Sequence, residues 1–445
     1  MRTSWTKYWN LQFNPFSMLE LSYLHGKSFD EKFVQIRAAN EAEDLLNELC
    51  SSRLGGAYVV EGPYGSGKST LLNYMARLLE TKLRSANMIP IFIKLTELTK
   101  ISNVRECAEM IDAQMIESLR NSIERHLEID DISTLFDKFL RSSRPVVECL
   151  RFLERRGYRA VFLIDELDKI EERIAKLYIS KYQPTGETLW KRGHITFWAV
   201  HSDWRLRRDP RFSFIHRRIL IERWTISEIV ELLDKRIKIA SMDKETGVED
   251  IFDREALHEV YVLSEGFPRK AQEIAELSMR YAANLRRDKV SRDDVREARK
   301  LDEERSLHQV ILNKLFQIIS EDPELQKIFK KLINLVREEP LMINTLVRII
   351  VEEKIDERDI TEEAKKHLER MRDEGFIKKV ERPQHIYVPI VSVSNFFNKL
   401  RNIVNEEARY HLKIPRKRRK KAEIEIKNWV SERLRRFFKY LFITM

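Results

Sequence analysis

Cysteine is sparse in this 445-residue chain, and Cys50, Cys107 and Cys149 stand too far apart for a disulfide framework or a metal knuckle. That predicts reduced core thiols in a cytoplasmic protein. No apolar run reaches the roughly 18 residues that a bilayer-spanning helix requires. The opening Met1-Arg-Thr-Ser-Trp-Thr-Lys-Tyr-Trp9 lacks the apolar centre of a secretory leader. Glycine is scarce too, at 12 residues, yet Gly55, Gly56, Gly62, Gly65 and Gly67 crowd into one short stretch. What is plentiful is charge and core-forming material. With 43% hydrophobic residues the chain can bury a large core, divided among two to four domains. Its net charge of +10 tilts it toward an anionic partner without establishing one.

The crowded glycines belong to Gly62-Pro-Tyr-Gly-Ser-Gly-Lys-Ser69, spaced G-x-x-x-x-G-K-[ST]. In such a phosphate-binding loop the backbone N–H groups converge on nucleotide phosphates, the lysine adds positive charge, and the serine hydroxyl ligates Mg²⁺. Gly62, Pro63, Tyr64, Gly65, Ser66, Gly67, Lys68, Ser69 and Thr70 are therefore the nucleotide-binding candidates. The flanks agree. Ala57-Tyr-Val-Val60 reads as a buried strand before the loop, and Leu71, Leu72, Met75 and Leu78 recur at helical spacing after it.

Downstream, Arg159-Ala-Val-Phe-Leu-Ile-Asp-Glu-Leu-Asp168 is an apolar strand ending in acids, as suits the middle of a parallel sheet. Asp165 is placed to hold Mg²⁺, and Glu166 to polarise the water that attacks the γ-phosphoryl group. Paired acids also occur as a solvated turn; the phosphate loop upstream favours the catalytic reading. A further strand, His194-Ile-Thr-Phe-Trp-Ala-Val200, leads to Ser202, the first choice for a residue sensing the γ-phosphate, with His201 the second. Arg205, Arg207, Arg208, Arg211, Arg217 and Arg218 follow, before a short strand Ile219-Leu-Ile221. One of them becomes a candidate arginine finger if subunits stack. From Thr225 to about Lys300 the pattern is all-helical. Gly266 suits a helix end and Pro268 a first turn, which sets Arg269 at a helix start where it can swing over the nucleotide.

The phosphate loop, Asp165-Glu-Leu-Asp168, the polar strand end at Ser202 and Gly266-Phe-Pro-Arg269 together resemble an AAA+ ATPase. Within that group the likeness is nearest to the archaeal origin-recognition initiators, and it covers roughly Val34 to Lys300. The resemblance implies Lys68 and Ser69 on phosphates and metal, Asp165 and Glu166 as metal and water residues, and Ser202 and Arg269 as first and second sensors. Two features differ. Asn10-Leu-Gln-Phe-Asn-Pro-Phe16 looks more like ATPases of bacterial transposition and secretion systems, and Ser202 stands where initiators more often carry asparagine.

Between Glu324 and Ile390 the pattern is three helices and then two short strands around Glu381-Arg-Pro-Gln384. That order predicts a winged helix, with the third helix, capped by Thr361, in the major groove. Lys365, Lys366 and Arg370 on that helix, with Lys378, Lys379 and Arg382 on the wing, are the DNA-contact candidates. Winged helices also dock proteins, and Glu362 and Glu363 sit awkwardly beside phosphates. The stretch Lys413-Ile-Pro-Arg-Lys-Arg-Arg-Lys-Lys421 adds a dense basic cluster, including Arg416, Lys417, Arg418 and Arg419. It reads as a phosphate-backbone binder, or alternatively as a solvated linker. A membrane-surface role for the apolar end beyond it is disfavoured.

The expected fold is α/β: a parallel-sheet P-loop core with an all-helical lid, a winged helix and a basic helical tail. The expected bounds are 1–45 for an N-terminal segment, 46–222 for the core and 223–300 for the lid. A connecting helix at 301–322, the winged helix at 323–395 and the tail at 396–445 follow. The expected function is an ATPase using ATP and Mg²⁺ that binds duplex DNA, in replication initiation or mobile-element transactions. Homo-oligomerisation through the ATPase interfaces and a cytoplasmic, nucleoid-associated location accompany it. The alternative is a nucleotide switch acting on a protein partner.

Overall fold

Four short, nearly continuous apolar stretches supply strands of one sheet, and a mostly exposed edge strand, Ile215–Leu220, completes it. The lack of alternation in the four is the signature of strands covered on both faces. The computed structural model describes residues 4–17, 27–52, 54–94, 104–142, 144–167, 190–204, 215–320, 322–352, 355–356, 358, 360–380, 386–389, 391–411 and 427–436. Two compact units emerge, 1–299 and 300–445.

In the first unit, short helices α1 (Trp5–Tyr8) and α2 (Lys27–Lys32) precede α3 (Arg37–Ser52). Strand β1 (Gly56–Glu61), helix α4 (Lys68–Glu80) and strand β2 (Met88–Lys94) follow. Then come α5 (Val104–His126), α6 (Ile132–Leu140), α7 (Pro145–Arg155), β3 (Arg159–Asp165), β4 (Ile195–Val200) and β5 (Ile215–Leu220). The sheet order is β2-β3-β4-β1-β5, and every pairing is parallel. Side chains alternate between two buried layers. Tyr58, Val60, Val161 and Leu163 join α3 and α4 in one; Ala57, Val59, Phe162 and Ile164 join α5, α6 and α7 in the other. Cys149 on α7 is fully buried in the second layer, and burial pushes its thiol up to about 12.

The consequence for function is register. Lys94 pairs with Asp165, Ile164 with Trp198, and Glu61 with Val200. The carboxyl ends of four strands therefore open side by side at one rim, where ligands of parallel sheets gather.

The lid consists of α8 (Ile226–Ala240), α9 (Val248–Ile251), α10 (Arg254–Ser264) and α11 (Pro268–Asn284). Thr225 and Glu228 close a reciprocal capping box on α8, and Asp253 caps α10. Glu265 and Gly266 turn the chain through left-handed conformations, with φ of 56° and 74°, before Pro268 opens α11. Two expected boundaries move. The division at 45/46 falls inside α3, and residues 4–17 dock on the lid. Trp9 Nε1 donates to the Met279 carbonyl at 3.0 Å, and the Gln12 N–H to the Ala240 carbonyl at 2.8 Å. The strand expected at Ile219–Ile221 begins earlier, at Ile215, so Arg217 and Arg218 lie within β5.

Helix α12 (Arg292–Ser320) runs to the second unit. There α13 (Pro323–Glu338), α14 (Ile343–Glu352), β6 (Ile355–Asp356), α15 (Glu362–Asp373), β7 (Ile377–Val380), β8 (Ile386–Pro389) and α16 (Val391–His411) share one core. The strands pair antiparallel in the order β6-β8-β7. Thr361 caps α15, its Oγ accepting the Ala364 N–H at 3.3 Å. The boundary expected at 395/396 falls within α16. Of the expected helical tail beyond the basic 413–421 stretch, residues 427–436 are described and helical. Among the described residues no helix is long and apolar enough to cross a membrane.

Candidate active site

The loop Gly62–Gly67 links β1 to α4 and wraps its own backbone. Gly67, at the N-cap of α4, has φ of 104°, a conformation L side chains rarely adopt. That fixes Lys68 and Ser69 as the first residues of the helix, with Thr70 next in the first turn. The Lys68 ammonium donates to the carbonyls of Gly62 at 2.9 Å and Pro63 at 3.0 Å. Its charge therefore lies against the loop's own entrance. Asn73 Nδ2 holds the Ser69 carbonyl at 2.8 Å, bracing the first turn.

Asp165 ends β3 at 2% exposure. Burial pushes its carboxyl up, the Ser69 hydroxyl donates to it and pulls it down, and the nearby Glu166 carboxylate pushes it up again. The Glu166 backbone N–H also donates to Asp165 Oδ1 at 2.9 Å. So the serine that opens α4 and the acid that closes β3 meet directly. Glu166 follows in a left-handed conformation, φ 62°, and is 7% exposed. A non-glycine residue there costs on the order of 1–3 kcal/mol and persists only where its surroundings hold it. Lys94, the last residue of β2, brings its ammonium to 4.0 Å from Glu166 Oε1.

Ser202 lies in the turn after β4, two residues beyond Val200, the register partner of Glu61. It is thus at the same rim as the phosphate loop and Asp165. His201 directs Nδ1 to its own turn, accepting the Asp203 N–H at 3.0 Å. Arg269 reaches the loop from the lid: its Nη1 donates to the Tyr64 hydroxyl at 3.0 Å. Of the candidate finger arginines, Arg217 lies 3.7 Å from Glu48 and Arg218 4.0 Å from Glu61, while Arg205, Arg207, Arg208 and Arg211 fall outside the described residues.

Three residues at this rim escaped the sequence reading. Lys94 ends an apolar strand, a position that is informative only once β2 is known to border β3. Glu61 ends β1 at 6% exposure beside the loop. Trp224 joins core to lid: its indole N–H donates to the Ser66 carbonyl at 3.1 Å, and its backbone N–H to the Gly266 carbonyl at 3.0 Å. No motif marks it.

The residues fit a magnesium nucleotide. Mg²⁺ prefers hard oxygen donors and is commonly held by one or two carboxylates together with substrate phosphates and water. The Ser69 hydroxyl and the neighbouring Asp165 carboxylate form such a set. Among the described residues no cluster of three His, Cys, Asp or Glu side chains offers a denser metal site.

In the second unit the candidate nucleic-acid contacts are unequal. Lys366 and Lys378 are exposed. Lys365 is half-buried on α15, Lys379 lies 5.6 Å over the Tyr387 ring, and Arg370 is ion-paired with both Glu338 and Glu339. Arg382, Arg416, Lys417, Arg418 and Arg419 lie outside the described residues.

Residues 57–195 match the family model of the NACHT domain, a span that begins in β1 and ends in β4. It takes in the phosphate loop and both acids, and this part of the chain is a P-loop NTPase domain. No curated protein matches the chain in sequence. Among solved structures, the ORC2 protein of Aeropyrum pernix in its ADPNP–ADP complexes is similar at 15% identity and a TM-score of 0.43, over 84% of this chain and 98% of that one. Cdc6p of Pyrobaculum aerophilum is 17% identical, with a TM-score of 0.41 over 86% and 98%. The RuvB branch migration motor of Thermotoga maritima is 16% identical, with a TM-score of 0.38 over 88% and 100%.

Proposed function

We propose that the chain is an ATP-binding and ATP-hydrolysing enzyme of the AAA+ type that couples nucleotide state to binding of duplex DNA. The observation that carries the ATPase reading is the approach of the Ser69 hydroxyl, at the start of α4, to the Asp165 carboxylate, at the end of β3, with Glu166 alongside. Two halves of an active site, nearly a hundred residues apart in sequence, converge there.

In this reading the loop N–H groups and the positive end of α4 receive the phosphates. Lys68 exchanges the carbonyls of Gly62 and Pro63 for phosphate oxygens. Mg²⁺, when bound by Ser69 and Asp165, neutralises charge on the transferring phosphoryl group. Glu166, beside Lys94, accepts a proton from the attacking water. Ser202 and Arg269 contact the γ-phosphate from the sheet and the lid respectively.

DNA enters through the second unit, whose α15 and β7–β8 hairpin follow the order of a winged helix, and through the basic 413–421 stretch. A cytoplasmic, nucleoid-associated oligomer engaged in replication initiation or mobile-element transactions is the biological setting of this reading. A second reading, a nucleotide switch for a protein partner, is favoured by one observation. Arg370 is neutralised by Glu338 and Glu339, so α15 presents less positive charge than its sequence suggests.

Steady-state ATP turnover with and without duplex DNA, at two salt concentrations, separates the two. DNA stimulation that fades with rising salt is expected. Turnover indifferent to DNA, with no DNA bound in the ATP state, would transfer the assignment to the protein switch. Glu166→Gln is the control: it should bind ATP and hydrolyse it about 100-fold more slowly.

A further inference from the structure

We infer that Tyr64 is a positioning residue for Arg269, holding the lid guanidinium over the phosphate loop so that the site prefers ATP to ADP. The inference rests on the reading of Arg269 as a γ-phosphate contact and adds to it the residue that places the charge.

Tyr64 is an unexpected side chain for its position. It sits in the middle of the phosphate loop, 61% exposed, so hydrophobic burial does not account for it. Its contacts with Arg269 are of two kinds. The hydroxyl accepts a hydrogen bond from Nη1 at 3.0 Å, and the guanidinium carbon stands 5.5 Å from the ring centroid. The backbones approach as well: a Cβ built on Gly65 would lie 3.4 Å from the Arg269 Cβ.

On the far side Arg269 Nε donates to Glu273 Oε1 at 3.4 Å, one turn along α11. The guanidinium is therefore suspended between a loop tyrosine and a helix glutamate. Pro268 fixes the start of α11, so the Arg269 Cα is set by the fold and only its side chain has to be ordered. An arginine side chain gives up much rotamer freedom when it binds an anion. Ring and hydroxyl restrict that freedom beforehand, next to Gly65 of the phosphate loop, and so lower the cost of gripping a γ-phosphate. ADP lacks that group. Loss of Tyr64 should then reduce affinity for the triphosphate and leave the diphosphate alone. Being exposed, Tyr64 can be replaced without threatening the core.

The test is calorimetric titration of the full chain with Mg²⁺ and either the β,γ-imido analogue of ATP or ADP. The variants are Arg269→Ala, Tyr64→Phe, Tyr64→Ala and the double Tyr64→Ala/Arg269→Ala. Arg269→Ala is expected to cut the triphosphate-over-diphosphate preference about tenfold, Tyr64→Ala about fivefold and Tyr64→Phe about twofold. The Kd for ADP should stay unchanged throughout, and the double variant should match Arg269→Ala. Equal weakening of both nucleotides by the Tyr64 variants would mark a merely structural role and overturn the inference. So would a Tyr64 effect that survives in the Arg269→Ala background. If Arg269→Ala leaves the preference intact, the reading of Arg269 falls, and this inference with it.

Discussion

A buried acid that must be ionised to work is a liability to the fold that contains it. Asp165 is in that position: burial raises its pKa, and the Ser69 hydroxyl and the Glu166 N–H only partly offset this. Because its folded pKa lies above the unfolded one, the folded state holds its proton to higher pH. The associated stability is full below the unfolded value, near 4, and is lost as pH rises through the folded value. Asp165→Asn keeps the shape and an acceptor oxygen for the Glu166 N–H while removing the charge. It should melt at a higher temperature than the wild type at pH 7 without nucleotide, yet lose about 100-fold or more in Mg²⁺-dependent turnover. A lower melting temperature would mean the carboxylate is better compensated than its contacts indicate. Lys68→Ala belongs to the same scale. Its ammonium, which donates to the Gly62 and Pro63 carbonyls, supplies charge to the phosphates, so nucleotide binding should vanish. Tight ATP binding retained in that variant, read by titration, would sink the loop's assignment.

At the scale of elements, what sequence could show depended on whether the signal was local. The phosphate loop, the acidic strand end and the Gly266–Pro268 turn were legible because each places special backbone needs on consecutive residues. The role of Lys94 was not, since it depends on β2 bordering β3, a fact of sheet order. Nor was the docking of residues 4–17 on the lid, which rests on contacts such as Trp9 to Met279 across 270 residues. Trp224 and Gly266 meet for the same kind of reason, and their junction is tight. A Cβ on Gly266 would lie 2.6 Å from the Trp224 carbonyl oxygen, at a φ of 74°. Gly266→Ala should therefore destabilise the protein by about 2 kcal/mol or more, through strain and displacement of the lid turn. Chemical denaturation measures it, and a change under about 0.5 kcal/mol, the size of an ordinary surface substitution, would show that the turn relaxes freely.

His194 couples β4 to β3 in a comparable way. Its Nδ1 accepts the Ala160 N–H at 2.9 Å, and Nε2 lies 3.0 Å from Glu154 Oε1. Burial pushes its pKa down, the Glu154 carboxylate pushes it up, and Arg192 and Arg159 press it down again. The lowered folded pKa means this contribution is full above about 6.5, the unfolded value, and is lost as pH falls toward the folded one. His194→Asn, whose amide oxygen can replace Nδ1 as acceptor, should flatten the decline in melting temperature between pH 7.5 and 5.5. An unchanged pH slope would assign that decline to other groups.

For the whole molecule the open matter is where its net charge of +10 acts. Charge counts treat all cations alike, but their settings differ. Arg370 is held by Glu338 and Glu339, whereas Lys366 and Lys378 stand exposed. Only cations that exchange small counterions for DNA phosphates contribute to the salt dependence of binding, at about 0.9 in slope per phosphate. Replacing Arg416, Lys417, Arg418 and Arg419 by glutamine should thus weaken binding to any duplex sequence and lower the slope of log K against log salt by about 3 to 4. Arg370→Gln should leave that slope unchanged and instead reduce stability, because it removes the guanidinium that pairs with both Glu338 and Glu339. Fluorescence anisotropy on a labelled duplex across a salt series reads both. If Arg370→Gln lowers the slope and the four-residue change does not, then DNA lies against α15, its contact is strong enough to displace two carboxylates, and the basic stretch serves another partner.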